Sequence, residues 1–89
     1  MDVKFGKRFS KDIDAIKNIP EIKKLLLNLI QKLNDAESLT EIKGTRKISG
    51  YQNYYRIRLA DYRVGIKFHD NYVEMIRFLH RKDIYRRFP

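Results

Sequence analysis

The apolar period of this 89-residue chain changes once. Over residues 7–33 apolar side chains recur three and four positions apart, the spacing of one helix face. From residue 54 onward they alternate with polar ones, the spacing of a strand that buries one side. A chain that is helical first and stranded afterwards must bury both patterns against each other, which predicts an α+β fold with helices packed on a sheet. The length leaves room for one hydrophobic core, so a single domain over residues 1–89 is expected.

Val3-Lys4-Phe5 reads as a short edge strand. Phe9, Ile13 and Ile16 predict a first helix over residues 7–18. Pro20 suits the first turn of a second helix. There Ile22, Leu25, Leu26, Leu29, Ile30 and Leu33 form the apolar stripe, with Leu27 off it and Asn34-Asp35 at the end. Asn18-Ile19-Pro20 is short enough to make the two a helical hairpin. Ser38-Leu39-Thr40-Glu41 has capping-box spacing for one helical turn. Residues 43–50 read as a basic loop. Three strands follow, turning at Ala60-Asp61 and at His69-Asp70-Asn71. The last, over residues 72–80, is apolar on both sides around Met75, Ile76, Phe78 and Leu79 and is expected at the centre of the sheet. The expected order is β-α-α-β-β-β: a two-helix hairpin on a twisted, mainly antiparallel sheet. A basic C-terminal tail follows, keeping Ile84, Tyr85 and Phe88 for packing.

Several classes of function are excluded or disfavoured. There is no cysteine, so no disulfide or thiol nucleophile; with two histidines, no zinc ligand set forms and no cofactor is expected. The longest apolar run is Leu25 to Leu27, far below a membrane span, and Met1-Asp2-Val3-Lys4 does not resemble a secretory leader. These features predict a cytoplasmic protein without membrane contact.

Charge points to the partner. The net charge is +9 and is unevenly spread. Residues 1–42 carry eight basic and seven acidic side chains, whereas residues 43–89 carry twelve basic and four acidic. The second part also holds eight of nine arginines and all six tyrosines. Guanidinium binds phosphate bidentately, and both residue types stack on bases, so RNA or DNA is the expected ligand.

By alternation, Arg56, Arg58, Arg63 and Lys67 share the sheet face opposite the helices. A hairpin would bring Arg56 or Arg58 beside Arg63, a like-charge contact that an anion relieves. His80 and Arg81 end the last strand and Tyr85 follows four residues later. This set suits RNA cleavage by transesterification. The RNA's own 2′-OH attacks the phosphate, and the protein positions the groups, stabilises the added charge and moves protons. Arginine suits the charge; His80 or Tyr85 suits the proton. His69 is expected on the surface, Asp61 in its turn and Asp83 beside an arginine.

Tyr55-Arg56-Ile57-Arg58-Leu59-Ala60-Asp61-Tyr62-Arg63-Val64 resembles the central signature of the RelE/ParE superfamily of toxin–antitoxin toxins. Leu79-His80-Arg81-Lys82-Asp83-Ile84-Tyr85 is similar to its C-terminal segment, and the likeness spans the chain. In the RelE branch the resemblance implies a ribosome-dependent endoribonuclease that cuts mRNA in the decoding site and is neutralised by a small acidic antitoxin. It implies that Arg63 contacts the scissile phosphate, that Arg81 and Tyr85 complete the active site, and that Arg56 and Arg58 hold RNA. The RelE branch has a basic residue where this chain has His80. Lys43, Arg46, Lys47, Lys82, Arg86 and Arg87 are expected to join Arg56 and Arg58 in docking on phosphates. The ParE branch, which poisons DNA gyrase, and a non-catalytic nucleic-acid-binding module are the alternatives.

Overall fold

The strand with apolar residues on both sides is an interior strand. In the computed structural model, which describes residues 1–89, β5 (Tyr72–His80) lies between β1 (Asp2–Phe5) and β4 (Tyr62–Phe68). The order is completed by β3 (Tyr54–Leu59) and β2 (Thr45–Lys47), giving β1-β5-β4-β3-β2. β1 runs parallel to β5 and the other three pairings are antiparallel, so the sheet is mixed and open.

One irregularity governs the faces of β5. Ile66 pairs with Met75, but the preceding Gly65 pairs with Arg77, leaving Ile76 as an extra residue. Such a bulge reverses the side on which all later residues point. Val73 and Met75 before it and Phe78 after it therefore lie in the main core, while Ile76 and Leu79 join a second cluster on the other face.

α1 (Lys7–Ala15) and α2 (Pro20–Asp35) form the expected hairpin on the first face. Pro20 occupies the first turn of α2, where its missing N–H costs nothing. Phe9 is fully buried and meets Phe78 edge-on at 6.3 Å. β1 covers the outer edge of β5 only as far as Met75; beyond it α1 takes over. Asp12 accepts the Phe78 amide at 2.9 Å and both the Nε and a terminal nitrogen of Arg77 at 2.8 and 3.1 Å. The hydrogen bond that Arg77 donates to Asp12, aided by the carboxylate's charge, holds the guanidinium above its ordinary pKa against the opposing effect of burial. The carboxylate thus caps a strand edge that would otherwise be free to pair.

On α2, Leu26, Leu29 and Leu33 are buried, but Leu25, counted in the stripe, is 39% exposed. Ser38 and Glu41 complete a reciprocal capping box around the single 3₁₀ turn Leu39–Glu41, as the spacing predicted.

Three further expectations are corrected. The first helix stops at Ala15, short of residue 18. Residues 45–47 are a strand, not loop: they pair with Tyr55–Ile57, and the preceding Gly44, at φ +81°, accepts the Arg58 amide at 3.1 Å. The tail is helix α3 (Arg81–Arg87), folded onto the second face. Ile84 and Phe88 bury there with Ile48 and Leu79, and the Phe88 ring lies so close over Gly65 that an added Cβ would sit 2.7 Å from it. No helix is long and apolar enough to cross a membrane.

Candidate nucleic-acid interface

β3 carries two arginines separated by one buried residue, and each faces another arginine across the sheet. Arg58 is the register partner of Arg63 on β4, and Arg56 that of Arg46 on β2. Ile57 and Val64 between them are fully buried under the helices, so the four arginines project from the opposite face. They line a pocket of about 290 Å³ together with Gly44 and Tyr85.

The pocket has no acidic member. The four ion pairs of the molecule, His69–Glu74, Arg77–Asp12, Arg81–Asp61 and Arg86–Asp83, all lie outside it. Cross-strand like charges destabilise a sheet, so the arrangement favours an anion that binds among them. Arg63 is held by the β3–β4 turn, donating to the carbonyls of Ala60 at 3.0 Å and Tyr62 at 2.8 Å. Ala60 itself is left-handed, with φ 54°. The Arg56 guanidinium carbon lies 4.4 Å from the centroid of the Tyr85 ring, which α3 lays across the pocket mouth. Tyr85 as a residue is 64% exposed, so aromatic surface of the kind on which bases stack faces solvent.

The other expected residues fall elsewhere. Arg81 opens α3 beside the pocket; its amide donates to the Asp61 carbonyl at 2.7 Å and its Nε is 4.0 Å from the Asp61 carboxylate. His80 pairs with Tyr62, and its ring meets the Tyr62 ring edge-on at 5.5 Å. Tyr62 in turn stacks on Phe78 at 5.0 Å, so His80 belongs to the helix side, across the sheet from the arginines. Its Nδ1 caps α3 by accepting the Lys82 amide at 3.2 Å. The structure thus places His80 apart from the arginine cluster with which it was expected to act. Lys47 pairs with Tyr55 and also faces the helix side. Lys43 borders a neighbouring groove that reaches Arg58. Lys82, Arg86 and Arg87 are on the exposed side of α3, with Arg86 bonded to Asp83 at 3.1 Å. Lys67 shares the arginine face but lies over the Tyr54 ring at 5.3 Å, which separates it from the pocket. His69, expected as plain surface, stacks on Tyr72 at 4.3 Å and bonds to Glu74 at 2.9 Å.

Gly44 is the pocket residue that the sequence reading passed over. A Cβ there would come within 3.1 Å of the Arg58 Cβ, so glycine lets the backbone approach the arginines. Its signal was a lone glycine between a basic residue and a strand-favouring threonine.

Fold and site define a small basic α+β protein that presents a cluster of arginines outside any ion pair, with an aromatic ring beside them, on one sheet face. A family model described as the ParE toxin of a type II toxin-antitoxin system matches residues 3–85. Toxin RelE3 of Methanocaldococcus jannaschii is 42% identical over 91 residues, covering all of both chains. Among solved structures, the RelB-RelE antitoxin-toxin complex from Methanococcus jannaschii matches with a TM-score of 0.82 at 37% identity, covering 97% of this chain and 99% of that one. The E. coli DinJ-YafQ toxin-antitoxin complex matches with a TM-score of 0.78 at 17% identity, over 94% and 96% of the two chains, a likeness of fold. The chain belongs to the RelE/ParE family and is a RelE-like toxin of a type II toxin–antitoxin system.

Proposed function

We propose that this toxin is a ribosome-dependent endoribonuclease that cleaves mRNA in the cytoplasm and so inhibits translation. The observation that carries this reading is the carboxylate-free pocket in which Arg46, Arg56, Arg58 and Arg63 converge with Tyr85. The 2′-OH of the RNA gives up its proton and attacks the adjacent phosphorus; a P–O bond to the 2′-oxygen forms, the bond to the 5′-oxygen of the next nucleotide breaks, and that oxygen leaves by taking up a proton. No protein nucleophile is required. Arg63, pre-positioned by two carbonyls, binds the scissile phosphate and stabilises its extra negative charge. Arg58 faces the same phosphate from across the strand pair, and Arg46 and Arg56 hold its neighbour. Arg81 reaches the phosphate once its contact with Asp61, 4.0 Å long and exposed, gives way. Tyr85 is the remaining proton carrier or base platform; His80 serves by capping the helix that carries it.

The partner in this reading is an acidic antitoxin, as RelB is the antitoxin in the M. jannaschii complex. The ParE designation of the matched family model favours a second reading, inhibition of DNA gyrase. Ribosomes programmed with a defined message, assayed beside gyrase supercoiling, separate the two. Message cut only when ribosomes are present supports the ribonuclease. Intact message with blocked supercoiling replaces it with the gyrase reading.

A further inference from the structure

His80 stands where strand becomes helix, and the atom it uses there fixes its protonation state. It is the N-cap residue of α3, and its Nδ1 accepts the Lys82 amide at 3.2 Å. A backbone amide can only donate, so Nδ1 must offer a lone pair. The ring is therefore neutral in this geometry, with its proton on Nε2. A second proton would go to Nδ1 and set an N–H against the Lys82 N–H. It would also put a positive charge at the positive end of the helix. The imidazolium cannot cap α3. Imidazole is the side chain that makes this change between about pH 8 and pH 5.

Little else holds α3. Seven residues are too few to be stable alone. The other ties are the Arg81 amide on the Asp61 carbonyl, Ile84 and Phe88 on the second face, and the Tyr85 ring against Arg56. The charged and titratable groups around the His80 ring do not replace the cap. On β4, Tyr62 meets the ring edge-on at 5.5 Å. In the β3–β4 turn, Asp61 is paired with Arg81, and on α3, Asp83 is paired with Arg86. On α1, along the same edge of β5, Asp12 is taken by Arg77 and the Phe78 amide. Arg81 and Lys82, next along the chain, add only like charge.

We infer that His80 is a positioning residue that makes the seating of Tyr85 depend on pH. Neutral, it caps α3 and holds Tyr85 at the arginine pocket; protonated, it releases the first turn and loosens the helix. Arg46, Arg56, Arg58 and Arg63 lie on strands and keep their places, so acid removes the aromatic wall of the pocket and leaves its cations. Because the cap needs the neutral ring, its contribution is complete near pH 8 and is lost on acidification. The consequence for cleavage rests on the function proposed above; the capping chemistry does not.

Amide exchange of residues 82–87 in the intact chain, corrected for intrinsic rates, tests the cap without ribosomes. Between about pH 8 and pH 5.5 the wild-type rates should rise about tenfold, the usual worth of an N-cap, while β4 stays protected. His80→Ala should exchange fast at both pH values. His80→Asn, whose side-chain carbonyl caps at either pH, should exchange slowly at both. His69→Asn alters the chain's other histidine and should respond as the wild type does. Imidazole nitrogen shifts should place the His80 proton on Nε2 at the upper pH. An α3 whose exchange ignores pH, a His80→Asn protein that responds like the wild type, or a proton on Nδ1 overturns the inference. On ribosomes, the wild-type cleavage rate divided by that of His80→Asn should fall about tenfold over the same range. A constant ratio overturns the regulatory role and leaves the ribonuclease reading standing. No cleavage by any variant at either pH, with exchange as described, removes the ribonuclease reading and leaves the cap.

Discussion

The Arg56 guanidinium rests on the Tyr85 ring at 4.4 Å, joining β3 to α3 across the mouth of the arginine pocket. A cation over an aromatic face is attracted by the ring quadrupole. The contact also fixes where the phenol hydroxyl and the free ring face are presented. Tyr85→Phe keeps the stack and removes the hydroxyl. If Tyr85 moves a proton, single-turnover cleavage on ribosomes falls by about 10²-fold or more in Tyr85→Phe. If it is only a platform, Tyr85→Phe cleaves at the wild-type rate and Tyr85→Ala alone is slow.

Arg63 is the best-held donor in the pocket. Arg63→Ala should fold, because its two acceptors, the carbonyls of Ala60 and Tyr62, are at a turn that water reaches. Cleavage should drop by about 10²–10³-fold, the usual loss for one preorganised transition-state donor. A folded Arg63→Ala protein that cuts at the wild-type rate would remove Arg63 from the mechanism.

Register predicts which basic residues meet RNA. Arg46 faces the pocket and Lys47 the opposite side of the sheet. Arg46→Ala should reduce the log–log salt slope of single-stranded RNA binding by about 0.7, one phosphate contact, while Lys47→Ala leaves it unchanged. Equal slopes for the two variants would contradict the assignment of faces.

Asp12 and Arg77 form a pair in which both side chains are nearly buried, 12% and 11% exposed. Asp12→Ala strands the guanidinium and the Phe78 amide, and should cost about 3–5 kcal/mol. Asp83→Ala, which breaks only an exposed pair with Arg86, should change stability by less than about 1 kcal/mol. Urea unfolding of both variants measures the difference, and comparable midpoints would refute it.

Gly65 keeps α3 in place. Gly65→Ala puts a methyl group against the Phe88 ring, an overpacking that costs about 1–3 kcal/mol if the sheet holds. The easier response is for α3 to lift. Amide exchange should then rise in residues 81–88 while β3 and β4 stay protected, and cleavage should fall as Tyr85 leaves the pocket. Unchanged exchange in α3 with a wild-type rate would sink this account.

What the sequence by itself determined is local in origin. The change of apolar period set helices before strands, Pro20 and the Ser38–Glu41 capping box set where turns of helix begin, and alternation placed Arg56, Arg58 and Arg63 on one face. Each of these follows from side chains within a few positions of one another. What tertiary structure decided depends on remote partners. β2 is three residues long and exists because β3 pairs with it. α3 has seven residues, too few to be stable alone, and forms because Ile84 and Phe88 find the second face of the sheet. Leu25 is exposed because only part of a wide apolar stripe can face one sheet. His80 is the clearest case. With uninterrupted pairing from Ile66–Met75 it would share the face of Arg63; the single extra residue at Ile76 carries it to the side of Tyr62. A bulge is a compromise between two strands, and neither strand's own sequence contains it.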